Sequence, residues 1–157
     1  MPPKTGFRWL SQHEQLSWRA YLRGTLALTT QLDKDLQKHH DLSLSEYEIL
    51  AHLSETPEHR LRMSELATYL HYSRSRLSHT VSRMEKAGLV VRYSCPEDGR
   101  GILAELTKAG RSLLEIAAHT HVEGVRRYLV DPSTQQDFAA LGRVFDAAAK
   151  ATKEHPL

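Results

Sequence analysis

The chain has 157 residues, 40% of them hydrophobic, and 21 lysines and arginines against 19 acids leave a net charge of only +2. That is one domain's worth of chain with enough apolar content for a core. It has no apolar run of about 18 residues to span a bilayer. Met1–Gly6 lacks the apolar stretch of a secretory signal, and a single cysteine excludes an internal disulfide and fits a reducing compartment, so a cytoplasmic location is expected.

The first predicted helix runs from Leu10 to Lys38, with Trp18, Leu22, Leu26, Thr29, Leu32 and Leu36 along one stripe. A second starts at Ser45, where Ser45 and Glu48 form a capping box and Leu44 can staple to Ile49. Tyr47, Leu50 and Leu53 of this helix then face inward.

Met63 to Leu70 reads as a short helix, followed by a tight turn and a second helix from Ser73 to Gly88. At about 100° per residue, Leu77, Val81 and Met84 share one face of that second helix. Ser75, His79, Ser82 and Lys86 share the opposite face, flanked by Ser78 and Arg83. An ordinary amphipathic surface helix favours Glu, Lys and Gln, whereas here serines and arginines forgo helix propensity for hydrogen-bond donors. Small serines allow close approach to a major groove, and arginines reach phosphates or guanine edges. Ser73 suits the N-cap and Gly88 the position after the C-cap, giving ~21 Å of helix. Between Arg60 and Arg92 stand Arg60, Arg62, Arg74, Arg76, Arg83, Lys86 and Arg92 against Glu65 and Glu85, a local balance of +5 in a chain that is otherwise −3. Concentrating positive charge on one segment points to nucleic acid where the overall charge does not.

Two β-prone runs follow, Leu89–Tyr93 and Ile102–Leu106, joined by a loop whose Asp98-Gly99 and Gly101 supply the positive-φ positions of a hairpin. Arg100 stands between two glycines at the tip, suited to a narrow minor groove or, without the neighbouring helix, simply to solvent. Asp98 reads as a partner orienting that arginine, because phosphate repels a carboxylate. Helix, turn, helix and then a hairpin wing is an arrangement that reads duplex DNA. The DNA-facing set is Arg62, Ser64, Ser73, Arg74, Ser75, Arg76, Ser78, His79, Ser82, Arg83, Arg92 and Arg100. Beyond the wing, a helix from about Lys108 to Val130 carries Leu113, Ile116, Ala117, Val125 and Leu129. Asp131-Pro132 breaks it, and a last helix, Ser133 to Thr152, carries Phe138, Leu141, Val144, Phe145 and Ala148.

The segments Leu66-Ala67, Ser73 to Ser78, Val81, Arg83-Met84-Glu85 and Gly88-Leu89-Val90 resemble the MarR family of winged-helix regulators. So does Asp98-Gly99-Arg100 followed by Leu106-Thr107-Lys108-Ala109-Gly110. The likeness runs across essentially the whole chain; many members carry a longer charged wing tip, where this chain has Gly101. It implies a mainly α fold with a small β wing: one unit over 1–157, with 45–107 as the winged helix-turn-helix lobe and 8–40 and 108–153 as dimerisation helices. The long apolar stripes on the terminal helices, more than the lobe can cover, agree with a homodimer. Two copies place two recognition helices about one helical turn apart, so a pseudo-palindromic operator with half-sites ~10 bp apart is expected. The resemblance also implies repression released by a small-molecule effector. The effector's pocket would be lined by Trp18, Tyr21, Leu22, Tyr47 and Leu50, although such an aromatic cluster also serves as plain core.

Other constellations carry less. His39-His40 and Glu115 with His119 are similar to a zinc-sensing branch of the family, yet His119 and His121 lie about 200° apart on a helix and no cysteine pair accompanies them. No metal or cofactor is expected. Cys95 sits in the wing near Arg92 and Arg100, which could lower its pKa and make a redox switch; peroxide-sensing relatives place their thiol near the start of helix 1, where this chain has Ser11 and Ser17. His13-Glu14-Gln15-Leu16-Ser17 lacks the second histidine of a zinc-protease helix, and there is no Gly-x-Ser-x-Gly elbow or phosphate loop, so an enzyme is not expected. A sequence-neutral architectural DNA binder is the remaining alternative, which the serine and arginine mix on the helix face disfavours.

Overall fold

The structure is a computed structural model that describes residues 6–97 and 99–154. Helix α1 (Gln12–His40) opens on a reciprocal cap: the Glu14 N–H donates to Ser11 Oγ at 3.2 Å and the Ser11 N–H to Glu14 Oε2 at 2.7 Å. Two otherwise orphaned donors are thereby satisfied, so the helix begins two residues later than its apolar stripe suggests. Asp41, in the left-handed region, ends it.

Helix α2 (Leu44–Glu55) is capped by Ser43 with Glu46, not by the expected Ser45 with Glu48. The stretch Ser43-Leu44-Ser45-Glu46-Tyr47-Glu48 offers the same pattern twice, two residues apart. A tertiary contact selects between them, because Asp33 Oδ1 of α1 accepts from the Leu44 N–H at 2.8 Å. Tyr47, Leu50 and Leu53 are buried as anticipated.

A tight turn over Pro57–His59 leads into β1 (Arg60–Arg62), then α3 (Met63–Leu70), α4 (Arg74–Lys86), β2 (Val90–Ser94) and β3 (Ile102–Leu106). The strands form one antiparallel sheet in the order β1-β3-β2, with Leu61 and Arg92 both opposite Ala104. Helix α5 (Lys108–Val125) runs on through a π-helical turn at Arg126–Val130, and α6 (Gln135–Glu154) completes a mainly α architecture with a small wing.

The core gathers on α2, α3, α4 and β2, with Leu36 of α1 and Leu42 packed into it: these two and Ile49, Leu50, Leu53, Leu66, Leu77, Val81, Met84 and Val90 are all fully buried. Away from this core the pattern inverts. Helix α1 buries only Leu32 and Leu36, and α6 buries nothing. Trp18 is 52% exposed, Leu26 69% and Val144 62%, while Tyr21 packs its ring 5.3 Å from Phe145. On α5 the buried positions are Gly110, Leu114, Ala117 and Gly124, and Ile116 from the expected stripe is open. Two pins tie α1 to the α5 region: His40 Nε2 with Thr120 Oγ1 at 2.7 Å, and Tyr128 donating to Asp35 at 2.8 Å.

Candidate nucleic-acid interface

Helix α3 stops at His71, which adopts φ 53° and donates its N–H back to Ala67 and Thr68. The turn is then only His71-Tyr72-Ser73 long, because Ser73 Oγ accepts from the Arg76 N–H at 3.1 Å and starts α4 at once. At the far end the Gly88 N–H donates to Glu85 O at 3.0 Å and the Leu89 N–H to Met84 O at 2.9 Å, with Gly88 at φ 73°. That paired closure is a Schellman motif, which needs a left-handed residue at this position. Both ends of the predicted recognition helix are therefore set by the residues that sequence reasoning assigned to them.

Leu77, Val81 and Met84 anchor α4 in the core, joined by Thr80, whose hydroxyl donates to Arg76 O at 3.0 Å. The opposite face is open: Ser75, Ser78, His79, Arg83 and Lys86 are exposed and Ser82 is half-buried. A cleft of about 360 Å³ separates this helix from the wing, and Ser64, Arg74, Ser78, Arg92 and Arg100 line it. Five expected DNA-facing residues from α3, α4, β2 and the wing loop are thus brought to one concavity. Gly99 takes φ 60° in that loop, as a hairpin loop requires. Arg62, on β1 and half-buried, leads into Ser64 at the start of α3. Asp98, expected to orient Arg100, lies outside the described residues.

The arginines are not equivalent. The Arg76 guanidinium lies 3.7 Å over the Tyr72 ring and donates to Ser45 Oγ at 3.1 Å, while Tyr72 donates to Glu48 at 2.8 Å. Arg83 pairs with Glu46 at 3.4 Å. Arg92 is held hardest: its N–H donates to Glu85 Oε1 at 2.9 Å, and its Nη2 donates to Glu85 Oε2 at 2.8 Å and Ser82 Oγ at 2.9 Å. These bonds hold the Glu85 carboxyl below its ordinary range. Arg60 pairs with Glu58 and donates to Tyr93 at 3.2 Å. Counting charges along the sequence treats these cations alike, but their partners stand on other elements. Arg74 and Lys86 have no carboxylate partner among the described residues.

The expected effector pocket is not assembled within one chain. Tyr47 and Leu50 belong to the core, whereas Trp18, Tyr21 and Leu22 lie exposed on the distal half of α1, where Tyr21 packs against Trp18 and Phe145. From residue 21 to the point where α1 enters the core at Leu36 is ~22 Å of helix, too far for one small pocket. A concavity of about 680 Å³ lies instead on α5, lined among others by His119, Val122, Glu123 and Arg126.

Cys95 is buried, so a solvent-accessible thiol in the wing is not what the fold provides. Among the described residues no three metal-ligating side chains cluster, and no helix is long and apolar enough to cross a membrane.

Comparison with known proteins adds to this geometry. A family model described as MarR family matches residues 40–101. The chain is similar to AbsC, a MarR family transcriptional regulator from Streptomyces coelicolor, at 42% identity and a TM-score of 0.86, covering 94% of this chain and 99% of that one. It is similar to Sco3205, a MarR family transcriptional regulator of the same organism solved in complex with DNA, at 40% identity and a TM-score of 0.89, covering 96% and 95%. The HTH-type transcriptional regulator YxaD of Bacillus subtilis is 32% identical over 105 residues, 67% of this chain and 72% of that protein.

Proposed function

Since the chain belongs to the MarR family of DNA-binding transcriptional regulators, which are not enzymes, we propose that it acts as a homodimeric repressor of a pseudo-palindromic operator. In this reading α4 enters the major groove with Ser75, Ser78, His79 and Ser82 toward base edges. Arg62, Ser64, Ser73, Arg74, Arg76 and Arg83 hold the flanking phosphates, and Arg100, oriented by Asp98, reaches the minor groove. Arg92 belongs to the interface through its neighbours. The observation that carries the proposal is the open polar face of α4 beside the wing cleft, where Ser64, Arg74, Ser78 and Arg100 converge.

Division of labour along the chain follows: 45–107 as the DNA-binding lobe, 8–40 and 108–153 as dimerisation helices. Supporting it, α1 leaves Leu16, Trp18, Tyr21, Leu22 and Leu26 open, and α6 leaves Phe138, Val144 and Phe145 open. Each would contribute roughly 1.5–3 kcal/mol once covered. A second copy of the same chain offers the same apolar faces in return, and two-fold symmetry sets the half-sites ~10 bp apart. Release by a small-molecule effector requires tighter binding to the DNA-incompetent dimer than to the competent one. A cytoplasmic protein meets both the operator and such a ligand.

The test is selection of genomic fragments by the purified protein, followed by footprinting and sedimentation. Two protected half-sites about one turn apart and a dimer at micromolar concentration are expected. A monomer, or equal affinity for selected and random duplex at matched salt, overturns the proposal.

A further inference from the structure

We infer that Arg92 and Glu85 form a bracket whose purpose is to fix the Ser82 hydroxyl as a hydrogen-bond donor toward DNA; the inference rests on α4 being the recognition helix. Ser82 shares the open face with Ser75 and His79, at the i+7 and i+3 positions from them. A serine hydroxyl has one proton and two lone pairs, so its role is normally undecided. Here Arg92 Nη2 donates to Ser82 Oγ at 2.9 Å, and a guanidinium can only donate. The Ser82 proton is turned away from Arg92, and it has no protein acceptor among the described residues, unlike that of Thr80, which the Arg76 carbonyl takes.

Arg92 itself cannot swing to a phosphate without leaving Glu85, which accepts from its backbone N–H, its Nε at 3.2 Å and its Nη2. Charge-assisted bonds of this kind are the strong ones. The bracket spans β2 and α4, so the wing's first strand sets a donor on the recognition helix. Arg92 is a positioning residue, and Ser82 touches the DNA. The partner is an acceptor: guanine O6 or N7, adenine N7, thymine O4, or a phosphate oxygen.

Full-length wild type, Ser82→Ala, Arg92→Ala and the double variant are each profiled on a duplex library with a randomised core, across a salt series. Ser82→Ala is expected to lose roughly three- to tenfold in affinity, the worth of one hydrogen bond. Loss confined to one base pair per half-site identifies a base acceptor, and uniform loss a phosphate. Arg92→Ala is expected to reproduce the Ser82→Ala profile with the salt slope unchanged, and the double variant to lose no more than either single one. Should Arg92→Ala not fold, Glu85→Gln, which keeps the side-chain shape, takes its place with the same expectations. An unchanged Ser82→Ala, additive losses, or a salt slope lowered by about 0.9 per subunit in Arg92→Ala overturns the inference, the last because it marks a direct phosphate contact. A wild type that enriches no sequence refutes the base-reading role of α4. The salt slope and the double variant, measured on bulk duplex, still decide the bracket.

Discussion

Replacing Gly110 by alanine is expected to damage this protein more than any other single methyl group. Gly110 lies in the first turn of α5, where a Cβ would overlap the Leu89 carbonyl oxygen and sit 2.9 Å from Leu106 Cδ1. Neither neighbour can yield cheaply. The Leu89 carbonyl accepts from the Thr107 N–H at 3.1 Å, while the Leu89 N–H closes the end of α4. Overpacking against backbone costs about 1–3 kcal/mol, and each displaced junction hydrogen bond about 1 kcal/mol. The helix-propensity gain of alanine over glycine returns only about 1 kcal/mol. The net loss is on the order of 2–4 kcal/mol.

Gly88→Ala makes the useful contrast. Its Cβ meets nothing within 4 Å, but the residue sits at φ 73°, so only left-handed strain of about 1–2 kcal/mol applies. Urea unfolding at one fixed protein concentration, with slopes compared to confirm a shared mechanism, ranks the two. Gly110→Ala with a midpoint at or above wild type, or less affected than Gly88→Ala, refutes the close approach.

Four further outcomes are expected. Leu26→Glu puts a charge on both copies of an exposed apolar face; at roughly 1.5–3 kcal/mol per side chain it should weaken dimerisation by about 10²–10⁴-fold by sedimentation, with operator binding lost in parallel. Arg74→Ala, which removes a cation with no carboxylate partner among the described residues, should lower the slope of log affinity against log salt by about 0.9 per subunit. Burial against Tyr47, whose ring lies 4.4 Å away, pushes the His121 imidazole below its ordinary value near 6.5, with Glu48 opposing. The unfolded chain therefore takes up the proton first, so stability is full above that value and falls as the pH drops through it; a urea midpoint flat with pH, or the same slope in His121→Phe, contradicts this. Cys95, being buried, should react with a water-soluble maleimide far more slowly in the native protein than in urea, and oxidant should leave operator affinity unchanged.

The readable parts of this fold are those whose causes are local. Ser73 and Gly88 bound α4 because each satisfies backbone groups within a few residues of itself. The apolar triplet Leu77, Val81 and Met84 is legible for the same reason, since one helical period places it. What escaped reading depends on partners far away in the chain. The three residues of β1 have no alternation long enough to announce a strand, and they become one because Leu103 to Glu105 of β3 lie opposite. Asp33 decides which of two equivalent Ser-x-x-Glu patterns caps α2. Arg83 looks like a free cation in sequence, yet Glu46 on α2 pairs with it, and Arg92 is paired by Glu85 across the turn from α4 into β2, seven residues away. The family resemblance joins Trp18, Tyr21, Leu22, Tyr47 and Leu50 in one pocket, yet within one chain the first three stand on the distal half of α1, ~22 Å of helix from where it enters the core.

The Leu106-Thr107-x-x-Gly110 element, which sequence reading treats as a signature, has a mechanical meaning here. Thr107 caps α5 by accepting from the Gly110 N–H at 2.9 Å, and the same hydroxyl donates to Gly88 O at 2.7 Å. One side chain therefore joins the first turn of α5 to the exit of α4, and Gly110 lets the two backbones meet without a side chain between them. A helix is stiff over the length of α5, so tilting its distal end, tied to α1 by Thr120 and Tyr128, moves the end of α4 with it. A flexible joint would absorb such a tilt, and this one is short, doubly hydrogen-bonded and closely packed. Thr107→Ala tests the coupling apart from stability. It removes the bond to Gly88 O and a helix cap worth about 1 kcal/mol, and it should broaden the half-site spacings a dimer accepts. An unchanged spacing preference would show that packing at Gly110 alone is enough to hold α4 to α5.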